Sequence, residues 1–256
     1  MCLLVFAWKV HPDYDLILAA NRDEFLNRPA RSATFWDDEP ELLAGMDLEG
    51  GGTWLGVTLD GKFSAITNYR DMKLHKENAP SRGKLPLNYL NGRKPPSTYI
   101  ESIRSGADSF NGFNLIAGNR NAIWYYSNIR DMPKELGPGI YGLSNHLLDT
   151  PWPKVVKAKE ALAAIVASHE PNHEKLFRLL HDRTPAPENQ LPDTGLDRAA
   201  EKKLSSAFIE MDGYGTRAST VIMLKKNGQL EFRERVHQNS DQETPGDSCF
   251  RFLIHG

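Results

Sequence analysis

Apolar runs bounded by polar turns dominate both ends of the chain and predict β-strands there. Residues 2–10 and 16–20 are almost continuously apolar and flank a His-Pro-Asp-Tyr turn. Runs of this length with turn signals on both sides are typical of strands buried on both faces. If the two strands pair antiparallel, the end of the second lies beside the start of the first. The pattern therefore predicts that residues 21–23 lie next to Cys2.

Three further strand pairs are predicted by the same reasoning. Turn dipeptides such as Asp60-Gly61 and Asn227-Gly228 separate their strands, and Asp-Gly and Asn-Gly favour tight hairpins. Residues 21–50 contain no comparable pair and are interpreted as a long loop. The predicted pairs are 53–58 with 62–68, 112–118 with 122–127, and 216–224 with 230–236, and short strands are expected at 140–143 and 250–254.

The middle of the chain is predicted to be helical. Residues 152–168 form the clearest helix, because an apolar stripe recurs at helical spacing along them. Residues 173–180 continue the pattern, whereas 183–200 are rich in Pro, Asp and Thr and predict a surface loop. Weaker helices are expected at 81–90, 97–105 and 199–209. Strand-rich ends around a helical middle predict an α+β fold, as a single domain over residues 1–256.

Composition excludes several classes of protein. The 256 residues are 40% hydrophobic and 25% charged, with a net charge of -2, so no clustered basic footprint for nucleic acid is expected. No apolar run is long enough for an integral membrane segment, and the N-terminus lacks the basic start of a secretory signal. The two cysteines, Cys2 and Cys249, indicate free thiols in a reducing compartment, and we expect a cytoplasmic protein. No zinc spacing is present, so no metal site is expected.

Cys2 is the first candidate for chemistry. Methionine aminopeptidases remove Met1 when the next side chain is small, which would leave Cys2 with a thiol and a free α-amine. A nucleophile and a base on one residue are the requirements of an N-terminal nucleophile enzyme. The alternative is that Cys2 is a small apolar residue that serves packing alone.

Polar residues at strand ends supply candidate partners for Cys2. The tetrapeptide Asn21-Arg22-Asp23-Glu24 either begins a loop or forms a site, in which Asp23 holds the α-amine and Arg22 favours the thiolate. Asn68 and Asn145 end predicted strands, and Arg217 begins one. Asparagine amides suit an oxyanion hole, which an acyl-transfer site needs. Each of these residues alone is more often structural.

Several motifs together resemble the NRDE family, also called the Transport and Golgi organization protein 2 family. The family is similar to the N-terminal nucleophile hydrolases, which have a four-layer αββα sandwich, and closest to choloylglycine hydrolases and penicillin V acylases. The resemblance rests on Met-Cys-Leu-Leu at the start, residues 21–24 with Arg28-Pro29, residues 51–56, Asn68-Tyr69-Arg70, Ser81-Arg82-Gly83, residues 142–145 and 150–154, and Gly215-Thr216-Arg217.

The resemblance implies roles for individual residues. Those implied as catalytic are Cys2, Asp23, Asn68, Asn145 and Arg217, and those implied in substrate binding are Asn21, Arg22, Glu24 and Trp54. One departure concerns the hydrolases' Arg and Asp, which have two residues between them, whereas Arg22 and Asp23 are adjacent. Because neighbouring residues of a strand face opposite sides, the site here is expected to be rewired, or Asn21 and Glu24 occupy those positions.

Three functions compete at this point. The first is hydrolysis of an amide or thioester of a small-molecule substrate, with no cofactor required. The alternative is a non-catalytic protein that binds and transports haem or an acyl-CoA or other lipid in a pocket between its layers, and the third is a structural or interaction protein. The oligomeric state stays open. The aromatic residues suggested for a pocket are Trp8, Phe25, Phe35, Trp36 and Trp54, and the histidines available as haem ligands are His11, His75, His146, His169, His173, His181, His237 and His255.

Overall fold

The computed structural model describes residues 2–168, 170–237 and 245–254, with Cys2 described by its backbone. The described residues form fourteen strands and five α-helices. The strands are β1 Cys2–Trp8, β2 Tyr14–Phe25, β3 Ala30–Phe35, β4 Leu42–Asp47, β5 Leu55–Thr58, β6 Phe63–Asn68, β7 Phe113–Gly118, β8 Ile123–Ser127, β9 Lys134–Leu136, β10 Gly139–Leu143, β11 Glu210–Met211, β12 Tyr214–Lys225, β13 Gln229–Val236 and β14 Gly246–Leu253. The helices are α1 Lys84–Asn91, α2 Pro96–Arg104, α3 Pro153–Ala167, α4 His173–Leu180 and α5 Arg198–Lys203.

The strands form two antiparallel sheets. The first sheet, called sheet A, has the order β10-β1-β2-β12-β13-β14, with β11 paired to β12. The second, sheet B, runs from β3 to β9 in chain order. All pairings are antiparallel, so hairpins and a meander build most of the structure. The hairpins predicted across Asp60-Gly61 and Asn227-Gly228 are confirmed.

Three apolar cores divide the molecule into four layers. Alternate residues of β1 separate two of them: Leu4 and Phe6 lie between the sheets, whereas Leu3 and Val5 lie beneath α3 and α4. A third core lies between sheet B and the helices α1 and α2. Because β1 is buried on both faces, apolar and polar residues do not alternate along it. The predicted four-layer αββα sandwich of the α+β class is confirmed.

Several predicted boundaries were wrong. Strand β2 continues through the whole tetrapeptide to Phe25, so these residues do not begin a loop. Residues 21–50, interpreted as a long loop, also contain β3 and β4. The helix expected at 199–209 ends at Lys203, and the short strand β9 was missed. Short strands in polar surroundings carry little periodic signal, so tertiary pairing decides them.

None of the helices within residues 2–168, 170–237 and 245–254 has the length and hydrophobicity needed to cross a bilayer.

Candidate functional site

A cavity of about 480 Å³ lies at the C-terminal end of β2, where sheet A faces sheet B. Its volume falls in the range typical of small-molecule sites. Both sheets and the 79–83 loop contribute to its wall. The lining residues are Arg22, Asp23, Glu24, Phe25, Arg28, Asp47, Glu49, Gly50, Thr53, Trp54, Ile66, Asn68, Ala79, Pro80, Ser81, Arg82, Gly83 and Asn111.

The start of β1 lies beside the end of β2, as the hairpin pattern predicted. Cys2 is the register partner of Arg22, and Leu3 is the partner of Asn21. On the other side of β2, Asp23 is opposite Thr216 of β12. Asn21 and Arg22 are therefore paired with both β1 and β12, whereas Asp23 and Glu24 are paired with β12. Along β2, Asp23 is one residue beyond the position opposite Cys2.

Arg22 crosses from sheet A towards sheet B, where an aromatic ring supports it. Its guanidinium lies 4.1 Å from the centroid of the Trp54 ring and 3.6 Å from the Asp47 carboxylate. A buried cation over an indole face is a favourable electrostatic contact. The Trp54 ring needs a glycine opposite, because a Cβ on Gly45 would approach it to 2.3 Å. The Arg22–Trp54 pair therefore depends on Gly45, a residue that no motif singled out.

Asp47 is the anionic centre of the cavity wall. It accepts hydrogen bonds from Arg28 Nε at 2.8 Å and from the Gly50 N–H at 2.8 Å. Burial acts to raise the pKa of Asp47, but these hydrogen bonds and the nearby guanidinium of Arg22 hold it below its usual value. Arg28 also binds Glu49 at 3.0 Å. Sequence reasoning missed Asp47 as a site residue; Arg28-Pro29 was noted only as part of a motif.

The outer wall of the cavity combines a carboxylate with an exposed aromatic ring. Glu24 lies 3.9 Å from Arg28 Nε. The Phe25 side chain is 58% exposed, although it packs edge-on against Tyr214 with ring centroids 5.2 Å apart. A large apolar side chain left open beside charged groups gives the cavity mixed polar and apolar character.

Asp23 is buried beside Thr216 of β12. Its Oδ1 accepts from Thr216 Oγ1 at 2.6 Å. Burial raises the pKa of Asp23 to about 6, against the lowering effects of Lys154 and of the Thr216 hydrogen bond. A carboxyl group that titrates near neutrality inside a cleft is a candidate for proton chemistry.

We expect the Asp23 carboxyl to impose a pH dependence on stability. The folded protein retains its proton between the ordinary pKa of 3.8 and about 6, where the unfolded chain has lost it. The contribution is therefore full below about pH 4 and is lost as the pH rises towards 6. Relative to Asp23→Asn, wild type is expected to lose roughly 3 kcal/mol across this interval. Urea unfolding of both proteins from pH 4 to 7 measures the difference, and parallel pH profiles would contradict it.

Asn21 does not line the cavity, although the resemblance implied substrate binding. Its Nδ2 donates to the carbonyls of Leu180 at 2.9 Å and Ala207 at 2.8 Å, and its Oδ1 accepts from Ser219 Oγ at 2.6 Å. All these partners lie on the helix side of sheet A, opposite to Arg22. Alternation along the strand explains this division. Asn21 joins β2 to the end of α4 and to the segment after α5.

Asn68 and Asn145 are brought together, but only Asn68 lines the cavity. Asn145 is buried and donates its Nδ2 to the Asn68 carbonyl at 3.0 Å. The carbonyl of Asn145 in turn accepts the N–H of Arg70 at 2.7 Å. The arrangement makes Asn145 a support for the end of β6, where Asn68 and Arg70 lie.

Arg217 lies outside the cavity wall and holds the turn that carries Arg28. It occupies a register shift of β12 between Thr216 and Ala218, a bulge that redirects its side chain. The buried Nη1 donates to the carbonyl of Arg28 and, at 3.4 Å, to that of Phe25. Through these two hydrogen bonds, Arg217 holds the 25–28 turn in place after β2.

The aromatic residues suggested for a pocket divide into two groups. Trp54 and Phe25 line the cavity. Trp8 and Phe35 instead pack in or against the core between the sheets. Trp36 packs in the core between sheet B and the helices α1 and α2. These three were wrong as pocket residues, because aromatic composition does not distinguish a core from a cavity wall.

The histidines suggested as haem ligands are mostly engaged in hydrogen bonds. His146 contacts Tyr69 Oη through Nε2 at 2.9 Å and Thr150 Oγ1 through Nδ1 at 2.8 Å. Coordination of iron by His146 would require one of these bonds to break. His237 Nε2 contacts Ser219, His173 Nδ1 contacts Glu231, His11 Nδ1 accepts from the Asp13 N–H, and His169 and His255 lie outside the described residues.

Within the described part of the chain, no three His, Cys, Asp or Glu residues gather in a way that would hold a metal ion. Cys249 is a free, exposed thiol on β14, at the far edge of sheet A.

Comparison with known proteins agrees with the motif-based resemblance. A family model described as Transport and Golgi organisation 2 matches residues 1–239. The Transport and Golgi organization protein 2 homologs of Bos taurus and Homo sapiens are 38% and 37% identical over 262 residues, which cover 94% of this chain and 95% of theirs.

Two solved structures match this chain at low sequence identity and low TM-score. The N-acylethanolamine-hydrolyzing acid amidase ortholog of Caenorhabditis elegans covers 86% of this chain and 92% of its own, with 10% identity and a TM-score of 0.45. The mutant C2A conjugated bile acid hydrolase from Clostridium perfringens covers 99% of this chain and 84% of its own, with 9% identity and a TM-score of 0.39. Likeness at this level carries no information about chemistry. On the family match and on its relatives over nearly the full length, the chain belongs to the Transport and Golgi organisation 2 family.

Proposed function

We propose that removal of Met1 converts this chain into an N-terminal-cysteine hydrolase that cleaves an amide or thioester of an acyl group. The observation that carries the proposal is the pairing of Cys2 with Arg22, one residue from buried Asp23, beside a cavity of about 480 Å³. Arg22 and Asp23 line this cavity, and with a cysteine nucleophile beside them they would supply the components of an acyl-transfer site.

In the proposed reaction the Cys2 sulfur attacks the acyl carbonyl while the α-amine takes the thiol proton. The amine returns this proton to the leaving nitrogen or sulfur, which departs as a free amine or thiol and leaves an acyl thioester on Cys2. Water then attacks the thioester, releases the carboxylic acid and restores the thiol. Asp23 orients the α-amine, and Arg22 favours the thiolate by its charge.

The remaining residues receive roles that follow from their contacts. Asn68 lines the cavity and offers its amide to the oxyanion. Asn145 and Arg217 act as positioning residues, because they donate hydrogen bonds to the backbone of Asn68 and of the 25–28 turn. Trp54 holds the Arg22 guanidinium and forms part of the acyl-binding wall.

The first test is the intact mass of the purified protein, which reports whether Met1 is absent. The second is hydrolysis of chromogenic acyl thioesters and acyl anilides by wild type and by Cys2→Ala. We expect the variant to lose at least about a thousandfold in rate, because the nucleophile is removed. Cys249→Ser, which removes the distant exposed thiol, is the matched control and is expected to retain the rate.

Trapping provides direct evidence for the covalent step. Brief incubation with a slowly hydrolysed acyl thioester is expected to add one acyl mass to the peptide that begins with Cys2. Quantitative retention of Met1, or full activity of Cys2→Ala, would exclude this mechanism. Ligand binding without chemistry, by an acyl-CoA or haem, would then be the account of the cavity.

A further inference from the structure

Strand β14 is an edge strand of sheet A. It pairs with β13 on one side, and within the described residues no strand pairs with its other side. Its register with β13 runs without a shift through eight pairs, from Gln229 opposite Leu253 to Val236 opposite Gly246. A regular edge of this length presents unpaired N–H and C=O groups to any strand that approaches it.

The other three edges of the two sheets are less suited to strand pairing. Strand β9 has three residues and β10 has five. Strand β3 has six, but its register is interrupted between Arg31 and Thr34, and such irregularities disfavour further pairing. Strand β14 has eight residues and contains neither Pro nor Lys, two residues with which natural proteins often protect an edge.

The sequence of β14 is complementary to itself. In an antiparallel pair, opposite residues lie on the same face, so a two-fold axis through Cys249 would place Asp247 of each copy opposite Arg251 of the other. The same axis places Phe252 opposite Gly246, and a Cβ added at Gly246 meets no atom of the described residues within 4 Å. An aromatic ring across from an edge glycine is a stabilising arrangement in sheets.

Other registers lose this complementarity. A shift of the axis to Ser248 or Phe250 places Asp247 opposite Cys249 or Leu253. If the axis passed between two residues, the faces of the two strands would be exchanged. Asp247 and Arg251 of one strand would then lie on the same side of the sheet as Phe250 and Phe252 of the other. Those two rings pack against Phe35 of sheet B, at 5.8 and 5.9 Å between centroids, so they mark the face that continues the inter-sheet layer.

We propose that a second copy of this chain pairs with the β14 edge, so that two sheets A join into one continuous sheet across a two-fold axis at Cys249. A second copy is the partner favoured by the structure, because the charges along β14 complement each other across the two-fold axis and the edge of the strand is regular. The proposal is independent of the hydrolase mechanism, because β14 lies at the opposite edge of the sheet order from β10 and contributes no residue to the cavity wall.

The charge pairs provide the decisive test by light scattering with size-exclusion chromatography. Wild type at tens of micromolar is expected to have a mass of about twice 28.8 kDa. Asp247→Arg alone places Arg opposite Arg251, and Arg251→Glu alone places Glu opposite Asp247. Each single variant is expected to raise the dimer dissociation constant by about tenfold or more, since like charges directly opposite repel.

Mixing the two variants is the matched control. In the mixed pair the arginine introduced at position 247 meets the glutamate introduced at position 251, and the unchanged Arg251 meets the unchanged Asp247. A heterodimer is therefore expected to form in the mixture at concentrations where each variant alone is mostly monomeric. Each substitution also disrupts an ion pair within its own chain, Asp247 with Arg235 or Arg251 with Glu231. This internal effect is the same in the variant alone and in the mixture, so a difference in dimerisation between the two samples reports on the interface. A monomeric wild type, or a mixture that fails to dimerise, would overturn the proposal.

A cross-link at Cys249 tests the position of the axis. Opposite residues of an antiparallel pair have Cα atoms about 4.5–5.5 Å apart, within the range that a disulfide spans. In a Cys2→Ala background, mild oxidation of the dimer is expected to link the two Cys249 residues, identified by mass spectrometry of the linked peptide. A dimer that does not cross-link here would contradict the register.

Discussion

Replacement of Glu201 by Gln is expected to lower the free energy of unfolding by about 3–5 kcal/mol. The Glu201 carboxylate is 0% exposed and binds the buried guanidinium of Arg70 at 2.7 Å. It also accepts two hydrogen bonds from Thr194, from the N–H at 3.0 Å and from Oγ1 at 2.5 Å. Glutamine preserves the shape but removes the charge, so the Arg70 cation remains buried without its counter-ion.

The effect is expected to reach the cavity. The Arg70 N–H donates to the Asn145 carbonyl, and Asn145 donates to the carbonyl of Asn68 in the cavity wall. Glu201 thereby ties helix α5 to the end of β6, across the junction of the two sheets.

Urea unfolding at pH 7 measures the change, and the chain offers a matched control. Glu101 binds Arg104 at the same distance of 2.7 Å, but this pair is on the surface. Glu101→Gln is expected to have little measurable effect, since solvent and salt screen exposed ion pairs. If Glu201→Gln were as stable as Glu101→Gln, the buried pair would not have the role given to it here.

Replacement of Asn21 by Asp is expected to destabilise the fold by several kcal/mol, in the range of about 3–5. Asn21 is 1% exposed, and its NH₂ group is fixed in orientation by two carbonyls, those of Leu180 and Ala207. A carboxylate at this position would direct an oxygen towards both carbonyl oxygens. The substitution converts two hydrogen bonds into repulsion and buries a charge.

The pH dependence identifies this mechanism. The new carboxyl is disfavoured in its charged form, so its folded-state pKa lies above the unfolded value and the penalty shrinks as the pH falls. Ser219→Ala is the control: it removes one donor to Asn21 Oδ1 and is expected to cost less, about 1–3 kcal/mol. An Asn21→Asp protein as stable as Ser219→Ala at pH 7 would show that Asn21 tolerates a charge, contrary to this account.

The first residue of the tetrapeptide is thus expected to matter for stability, whereas the other three line the cavity. The resemblance implied a substrate-binding role for Asn21, and a strand periodicity of two explains why it faces the helices instead. Asn21 and Arg22 are adjacent in sequence and lie on opposite sides of sheet A. A motif in the sequence marks the strand, but it does not state which layer each of its side chains contacts.

The sequence by itself determined the hairpins and the position of Cys2 beside the tetrapeptide. Continuous apolar runs and Asp-Gly and Asn-Gly turns are local signals, so the pairing of β1 with β2, of β5 with β6 and of β12 with β13 was predictable from neighbouring residues. The motifs additionally gave the family, and with it the αββα sandwich.

Only the tertiary structure decided the composition of the cavity wall. Asp47 of sheet B meets Arg22 of sheet A and Arg28 of the turn between β2 and β3. The room for the Trp54 ring depends on Gly45 in a neighbouring strand. Arg217 reaches the 25–28 turn because a bulge redirects it, and Glu201 meets Arg70 over a separation of 131 residues. Such contacts depend on packing between distant segments, which no local periodicity records, whereas strands and turns are encoded within a few residues.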